Sequence, residues 1–195
     1  MKKLFALLFV FLFAVSTNIL FAQEEGEEMD PAMMKAWQES MTPGPMHEML
    51  ASRVGEWKAE VSMWMDPSQP PTTSEATTVC EAMLGGRYFK SIHTGSMMGM
   101  PFEGYEISGY DNVKKKFFNV WMDNMGTGIM VSEGTYDEAS KTLTLTGQMT
   151  EPMGTDMNVR EVIKVIDNDH STFEMYVDMG GKEVKNMEIK YTRIK

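Results

Sequence analysis

From residue 57 onward, apolar and polar residues alternate along the chain in short segments rich in β-branched and aromatic residues. The ten segments are "WKAEVSMWM", "EATTVCEAML", "RYFKSIHTG", "FEGYEISGYD", "KKFFNVWMD", "TGIMVSEGTYD", "KTLTLTGQM", "MNVREVIKVID", "STFEMYVDM" and "EVKNMEIKYTRI". Turn-forming stretches such as "DPSQPP", "DNVK" and "GGK" separate them. A period of two bounded by turn residues predicts ten β-strands joined by hairpins.

The distribution of apolar residues across the two faces of these strands indicates how the sheet is arranged. In "WKAEVSM", the apolar residues Trp57, Ala59 and Val61 lie on one face, and polar residues lie on the other. A meander of ten strands exposes two long edges unless it closes on itself. We therefore predict an all-β antiparallel up-and-down barrel of about ten strands, lipocalin-like, with a short N-terminal helix. A two-sheet sandwich is the alternative.

The segment before the first strand predicts how one end of the barrel is closed. Residues of about 31–52 read as helical, and Gly55 then allows a tight turn into the first strand. Trp57 supplies a large apolar side chain at the base of the barrel. Arg193 lies on the inward face of the last strand, which neighbours the first strand in a closed barrel. Its guanidinium is expected to lie over the Trp57 indole as a cation–π contact.

The N-terminus has the layout of a secretory signal peptide. Two lysines precede an apolar stretch from Leu4 to Val15, and a small residue, Ala22, stands before Gln23. Residues 1–22 are therefore predicted to be removed on export. Residues 23–41 form an acidic leader and the start of the helical segment, and residues 42–195 form a single barrel domain. The mature protein is expected to be periplasmic or secreted, with no membrane anchor after cleavage.

Charge and cysteine content limit the classes of partner. The formal net charge is −10 at pH 7, which argues against nucleic acid and anionic membrane surfaces as partners, because both require a basic surface. The single cysteine, Cys80, leaves the exported fold without an internal disulfide. Its expected role is that of a small buried apolar residue. The sequence leaves the oligomeric state open.

Several longer stretches resemble a bacterial family of uncharacterised proteins, the domain-of-unknown-function family numbered 1579. They are the spaced residues of "H-x-x-L-x-x-x-V-G-x-W" beginning at His47, then "LGGRYFK", "GMPFEGYEISGYDNVKKKFFNVWMDNMGTG", "EGTYDEASKTLTLTG" and "MEIKYTR". The resemblance covers essentially residues 42 to 195 and implies a calycin barrel related to nitrobindin-like and lipocalin-like proteins. It implies no established activity.

The same resemblance bears on haem. Nitrobindin-like barrels that hold haem use a histidine near the end of the chain as the proximal ligand of the iron. In this chain the last two strand segments contain no histidine, and His170 falls in the turn before them. No pair of the three histidines has the spacing of metal ligands. We therefore predict no cofactor and no metal site.

The inward faces of the predicted strands supply the candidate ligand-binding residues. His93 faces the same way as Phe89, and Glu106 shares a strand face with Phe102 and Tyr110. We expect a non-enzymatic exported protein that holds a small apolar ligand inside the barrel. The candidate lining residues are Met63, His93, Glu106, Trp121 and Tyr191.

Three alternatives remain open at this level. The chain is an enzyme if His93 and Glu106 act as an acid–base pair on a small molecule in the same cavity, although no catalytic motif supports this. It is a structural or interaction module if side chains fill the barrel. The 22 methionines are adaptable core residues or, in stretches such as "SMMGMPF", thioether ligands for copper.

Overall fold

The strands form a closed barrel in which each strand pairs with the next and the first pairs with the last. The computed structural model describes residues 30–194. The two helices are α1 Pro31–Met41 and α2 Pro45–Ala51. The strands are β1 Gly55–Met63, β2 Thr72–Met83, β3 Tyr88–Met97, β4 Met100–Asp111, β5 Lys116–Asp123, β6 Met130–Asp137, β7 Thr142–Thr150, β8 Asp156–Val165, β9 His170–Asp178 and β10 Glu183–Arg193. The predicted ten-stranded antiparallel barrel is confirmed.

Closure occurs between β1 and β10, and this pairing excludes the two-sheet sandwich. The strands are antiparallel from the pair Trp57–Arg193 to the pair Met63–Met187. β1 also pairs with β2 along its whole length. Because both neighbours of every strand are strands of the same sheet, the barrel has no exposed sheet edge, and this removes a template for aggregation.

The end of the barrel next to α2 is filled by an apolar layer. Its buried members are Leu50, Cys80, Phe89, Phe117, Leu143 and Leu145, with Met46 and Met49 of α2 packed against them. Leu50 brings α2 into this layer, so the helix closes the barrel end that we call the base. Cys80 is a free buried cysteine, as its expected role required. Full burial of a side chain such as Phe89 contributes about 1.5–3 kcal/mol.

The helical segment is divided into two helices rather than one. Pro45 begins α2 after a break at residues 42–44, since proline fits the first turn of a helix but not its interior. None of the residues of α1 is buried. Its C-terminal end is held to the barrel by Asn112, whose Nδ2 donates to the carbonyl oxygens of Ser40 and Thr42. Neither helix within residues 30–194 has the length and hydropathy required to cross a bilayer.

Contacts between the start of β1 and Arg193 of β10 join the base of the barrel to the last strand. Gly55 has φ 133°, a conformation that favours glycine, and Trp57, two residues later, is buried. The Trp57 Nε1 donates to the carbonyl oxygen of Arg53 at 2.9 Å. The Arg193 guanidinium lies 4.0 Å from the centroid of the Trp57 ring and also donates to the carbonyl oxygens of Ser52 and Val54. The two ends of the domain are thereby fixed together.

The predicted signal peptide, residues 1–22, and the first part of the acidic leader lie outside the described residues.

Candidate functional site

A layer of buried polar side chains lies in the barrel interior above the apolar base. They project inward from the strands β2 to β8 and are Thr78, Ser91, His93, Glu106, Ser108, Asn119, Ser132 and Glu161. Burial of a polar group is costly unless the group finds a partner inside the protein or in a ligand. The partners of these groups therefore indicate what the interior is able to bind.

The centre of the layer is an ion pair between Arg53 and Glu106. Arg53 comes from the segment between α2 and β1, and its Nη1 lies 2.9 Å from Oε1 of Glu106, while its Nη2 donates to Oε2 at 3.3 Å. Burial acts to raise the pKa of Glu106, but Arg53 and His93 outweigh it, so the pKa of this carboxyl is lowered. Burial acts against the charge of Arg53, but Glu106 outweighs it and raises the pKa of the guanidinium. Both groups are therefore charged at neutral pH.

His93 lies beside this pair with one ring nitrogen free. Its Nδ1 lies 2.9 Å from the hydroxyl of Thr78. Its Nε2 lies 3.9 Å from Oε2 of Glu106, beyond hydrogen-bond reach, and is buried without a partner among the described residues. Burial lowers the pKa of His93, Glu106 acts to raise it, and Arg53 acts to lower it, with a net lowering. The imidazole is therefore neutral at pH 7 and presents an unpartnered nitrogen.

Trp121 forms the wall next to His93. The two ring centroids are 5.2 Å apart, and the indole stacks on Phe102 with centroids 6.3 Å apart. The indole nitrogen donates to Oδ2 of Asp123 at 2.8 Å, which fixes its orientation. Gly104 makes room for this ring, since a Cβ at that position would lie 2.5 Å from Cη2 of Trp121. Trp121 is thus a rigid aromatic surface at the polar layer.

The structure brings together four of the five candidate ligand-binding residues. Tyr191 of β10 pairs with Ala59 of β1 and reaches the Thr78 hydroxyl that also contacts His93. Burial raises the pKa of its phenol, and Glu106 raises it further, so the phenol stays protonated at neutral pH. Met63 is the exception, because it lies at the other end of β1 and pairs with Met187 near the rim.

A second polar group, formed by Asn119, Ser132 and Glu161, was not among the candidates. The Ser132 hydroxyl donates to Oε2 of Glu161 at 2.6 Å, and the Asn119 side chain also hydrogen-bonds this carboxyl. The Oδ1 atom of Asn119 is buried without a partner within residues 30–194. Glu161 is 2 % exposed, and burial raises its pKa. This group therefore offers an unpaired acid and a free acceptor to the interior.

The sequence contains a signal for one of these missed residues. Glu161 alternates with Val159 and Ile163 in "MNVREVIKV", so a period of two already assigns an acid to the inward face of β8. Arg53 carries no such signal, because it lies between a helix and a strand, where no periodicity defines its direction.

The inward-facing apolar residues on the side of the barrel away from α2 are only partly buried. Five inward-facing side chains there keep partial solvent access although they point into a closed barrel: Val61, Met63, Met175, Met187 and Ile189. Side chains of a filled core would be fully buried, as those of the base are. These five side chains form a half-buried apolar wall, so this end of the barrel is less completely packed than the base.

A groove of about 780 Å³ lies elsewhere, across β6, β7 and β8 near the start of β10. None of the candidate residues lines it. Its polar side chains are largely satisfied by one another, since Gln148 Nε2 donates to Asn158 Oδ1 and Arg160 forms a bidentate pair with Glu183. The interior, where buried atoms remain unpartnered, is the better candidate for a specific site.

The described residues contain no group of three or more His, Cys, Asp or Glu side chains arranged to hold a metal ion. His170, expected in a turn, is the first residue of β9, and its Nδ1 pairs with Asp167 at 2.9 Å on the surface.

The raised pKa of Glu161 predicts a specific pH dependence of stability. Since the folded state holds this proton more tightly than the unfolded chain, with its ordinary value of about 4.3, Glu161 destabilises the fold progressively as the pH rises through the raised value. The Glu161→Gln variant lacks this effect. Its free energy of unfolding minus that of the wild type, from urea titrations between pH 4 and 8, is therefore expected to increase with pH. Glu138→Gln in the exposed β6–β7 turn is the control, and a flat Glu161→Gln difference would contradict the assignment.

Comparisons with known proteins agree with the fold. Residues 42–193 match the family described as "Protein of unknown function (DUF1579)". The chain belongs to this family. It is similar in structure to Rv2717c from M. tuberculosis, with a TM-score of 0.57 and 15% identity over 79% of this chain and 100% of that one. It is also similar to the S-type phycobiliprotein lyase CPES from Guillardia theta, with a TM-score of 0.54 and 12% identity over 82% of this chain and 97% of that one.

No curated protein matches this DUF1579 chain. At these identities the two solved structures establish a common barrel fold alone. The assignment of a function to the chain therefore rests on the residues of its own interior.

Proposed function

We propose that this DUF1579 protein is an exported binding protein that holds a small, largely apolar molecule inside the barrel, with a polar end against the polar layer. The observation that carries the proposal is the combination of a half-buried apolar wall with buried side-chain atoms that have no hydrogen-bond partner within residues 30–194, among them Nε2 of His93 and Oδ1 of Asn119. Ligand pockets typically combine an apolar lining with a few polar groups that fix orientation.

The unpartnered atoms supply the reason for a polar end. A buried polar atom without a hydrogen bond costs about 1–3 kcal/mol, and a ligand that satisfies it recovers this free energy. His93 and Asn119 lie on β3 and β5, on either side of the strand that carries Glu106. In the proposed complex, polar groups of the ligand hydrogen-bond these two atoms, while its apolar body contacts the half-buried methionines above.

The geometry favours binding over acid–base catalysis by His93 and Glu106. A proton passes directly between two side chains only across a hydrogen bond. Nε2 of His93 lies 3.9 Å from Oε2 of Glu106, which is too far for one. Glu106 is held by Arg53 on both oxygens, and its lowered pKa makes it a weak base. The separation of His93 from Glu106 and the ion pair with Arg53 both favour a fixed, structural role for Glu106 over proton transfer.

Export is the part of the proposal that rests on the leader sequence at residues 1–22. The similarity to a phycobiliprotein lyase is compatible with an interior that handles a small molecule.

Native mass spectrometry tests the proposal. The protein is purified from the exported fraction of expressing cells, and its mass is compared under native and denaturing conditions. The proposal expects an N-terminus after residue 22 and an additional mass that is lost on denaturation. A bare mass under native conditions, together with no thermal stabilisation by any member of a small-molecule library, would overturn it in favour of a filled barrel.

A pair of variants on β10 distinguishes interior binding from surface binding. Ile189→Trp places a large ring on the half-buried inward wall, where it occupies ligand space, and it is expected to abolish the additional mass. Lys190→Trp makes the same change at the next residue, which points outward and is exposed, and it is expected to retain the ligand. The measurement is the native mass of each variant, after circular dichroism has established that it is folded. Equal ligand loss in both variants, or in neither, would contradict an interior site.

A further inference from the structure

Ionisation of Glu161 gives the interior a negative charge that nothing within the described residues balances. Arg53 and Glu106 neutralise each other, and His93 is neutral. Glu161 is 2 % exposed and forms no ion pair within residues 30–194. Its contacts are the Ser132 hydroxyl and the Asn119 amide. A buried carboxylate without a cation is costly, so the ionised form of Glu161 requires a positive partner that the chain does not supply.

The surroundings of Glu161 determine what such a partner can be. Its strand neighbours are Leu145 of β7 and Met175 of β9, neither of which carries charge. The Oδ1 atom of Asn119, next to the carboxyl, accepts no hydrogen bond in the described structure. Two acceptors, one of them the carboxyl of Glu161, therefore lie together on the inward face of the barrel between the apolar side chains of Leu145 and Met175. This is the arrangement that a donor-rich cation requires.

An anionic head group is disfavoured by the same layer. Arg53 is the cation of the layer, and both of its terminal nitrogens are already engaged by the two oxygens of Glu106. An anion entering the interior would have to displace this ion pair, and it would also face Glu161.

We infer that the ligand of the barrel is an apolar amine, and that its protonated nitrogen pairs with the Glu161 carboxylate and donates to Oδ1 of Asn119 while its hydrocarbon body lies along the half-buried wall of β9 and β10. The inference rests on the proposed binding function and adds the chemical class of the ligand. Glu161 is then the residue that determines ligand charge, and His93 offers its free nitrogen to a further polar group of the ligand.

The inference also predicts how the affinity for an ammonium ligand changes with pH. Burial raises the pKa of Glu161, so the empty protein holds the proton of this carboxyl to a higher pH than the unfolded chain does. Pairing with an ammonium ion requires the carboxylate, and the proton of Glu161 passes to solvent on binding. Affinity for an ammonium ligand is therefore expected to rise with pH over the range in which Glu161 titrates, below the pKa of the amine.

Isothermal titration calorimetry with three matched probes tests the inference. Octylammonium, 1-octanol and octanoate share one chain and differ in the charge of the head group. Wild-type protein, freed of any bound molecule, is expected to bind octylammonium about tenfold more tightly than 1-octanol, and octanoate most weakly, because only the ammonium head group forms a charge-assisted hydrogen bond with the Glu161 carboxylate. Glu161→Gln is expected to abolish the preference and its pH dependence, while Glu138→Gln keeps both.

The outcomes separate the two proposals. Equal or tighter binding of 1-octanol or octanoate would overturn the amine inference and leave interior binding in place. Retention of the octylammonium preference in Glu161→Gln would also overturn it. Absence of binding by all three probes, with no co-purified molecule, would overturn the binding function itself. The comparison of probes on the wild type needs no variant, so it remains decisive if Glu161→Gln fails to fold.

Discussion

Replacement of Arg53 by methionine is expected to lower the free energy of unfolding by about 3–5 kcal/mol at neutral pH. Methionine preserves most of the length and apolar contact of the side chain but removes the cation. Glu106, whose side chain is 11% exposed, is then left ionised in the interior without the guanidinium that contacts both of its oxygens. Urea denaturation followed by tryptophan fluorescence measures the loss.

A double variant distinguishes loss of the charge pair from loss of packing. Arg53→Met combined with Glu106→Gln removes both charges, so it is expected to recover a large part of the stability lost in Arg53→Met alone. If the effects of the two substitutions on the free energy of unfolding are additive, Arg53 acts through packing. The assignment of the Arg53–Glu106 ion pair as the centre of the site would then be wrong. Lys58→Met is a matched control, because Lys58 pairs with Glu75 on the exposed face of β1 and its removal is expected to have little effect.

The pH dependence of the Arg53→Met effect follows from the lowered pKa of Glu106. In the wild type the ionised carboxylate contributes stability above its unfolded pKa of about 4.3, and this contribution is lost as the pH falls through the lower folded value. Without Arg53 the pKa of buried Glu106 rises, so the carboxyl is neutralised at mildly acidic pH. The stability difference between variant and wild type is therefore expected to narrow as the pH decreases.

The fold was predictable because strand alternation and turn residues are local signals. Each of the ten segments carries its own period of two, and the pairing of Trp57 with Arg193 follows once the two chain ends are assigned to neighbouring strands. The break between α1 and α2 was not predicted, although the sequence carries a signal for it in "TPGP", where Gly44 and Pro45 interrupt the helical pattern.

The candidate site was predictable where a strand face defines it, and unpredictable where register or an irregular segment defines it. His93, Glu106, Trp121 and Tyr191 share the inward face, and the barrel brings them to one level. Met63 shares the inward face but belongs to the half-buried wall at the other end of β1, because alternation does not fix the position of a residue along the barrel axis. Partners across strands, such as Ser132 and Glu161, depend on barrel stagger, which no local pattern encodes.

Arg53 shows a different limit. Its inward direction could not be predicted, because a residue between a helix and a strand belongs to no periodic pattern that would indicate which way its side chain points. Yet the charged state of the interior depends on it, since without this guanidinium Glu106 would be the second unpaired acid in the barrel. The inference that the ligand is cationic thus depends on a residue that only the three-dimensional structure assigns to the interior.

Substitution of Gly134 by alanine is expected to destabilise the protein by about 3 kcal/mol, although it adds only one methyl group. Gly134 pairs with Leu145, and a Cβ at this position would overlap the backbone carbonyl oxygen of Thr144 on β7. The obstacle is backbone within a closed sheet, which cannot rotate away as a flexible side chain does. The strands must separate, and ladder hydrogen bonds weaken. Thermal and urea denaturation measure the effect, with Gly126→Ala as the control, because a Cβ at residue 126 would meet no atom within 4 Å.

Gly134→Ala is also expected to affect the hydrogen bond between Ser132 and Glu161 in the candidate site. Ser132 is the preceding inward residue of β6, and its hydroxyl contacts Glu161 of β8 across β7 at 2.6 Å. Separation of β6 from β7 lengthens this bond and removes a donor that lowers the pKa of Glu161. Gly134→Ala is therefore expected to raise the pKa of Glu161 further and to weaken octylammonium binding at neutral pH, whereas Gly126→Ala leaves both unchanged. A variant that is destabilised but binds octylammonium as tightly as the wild type would show that the Ser132–Glu161 contact does not support the interior acid.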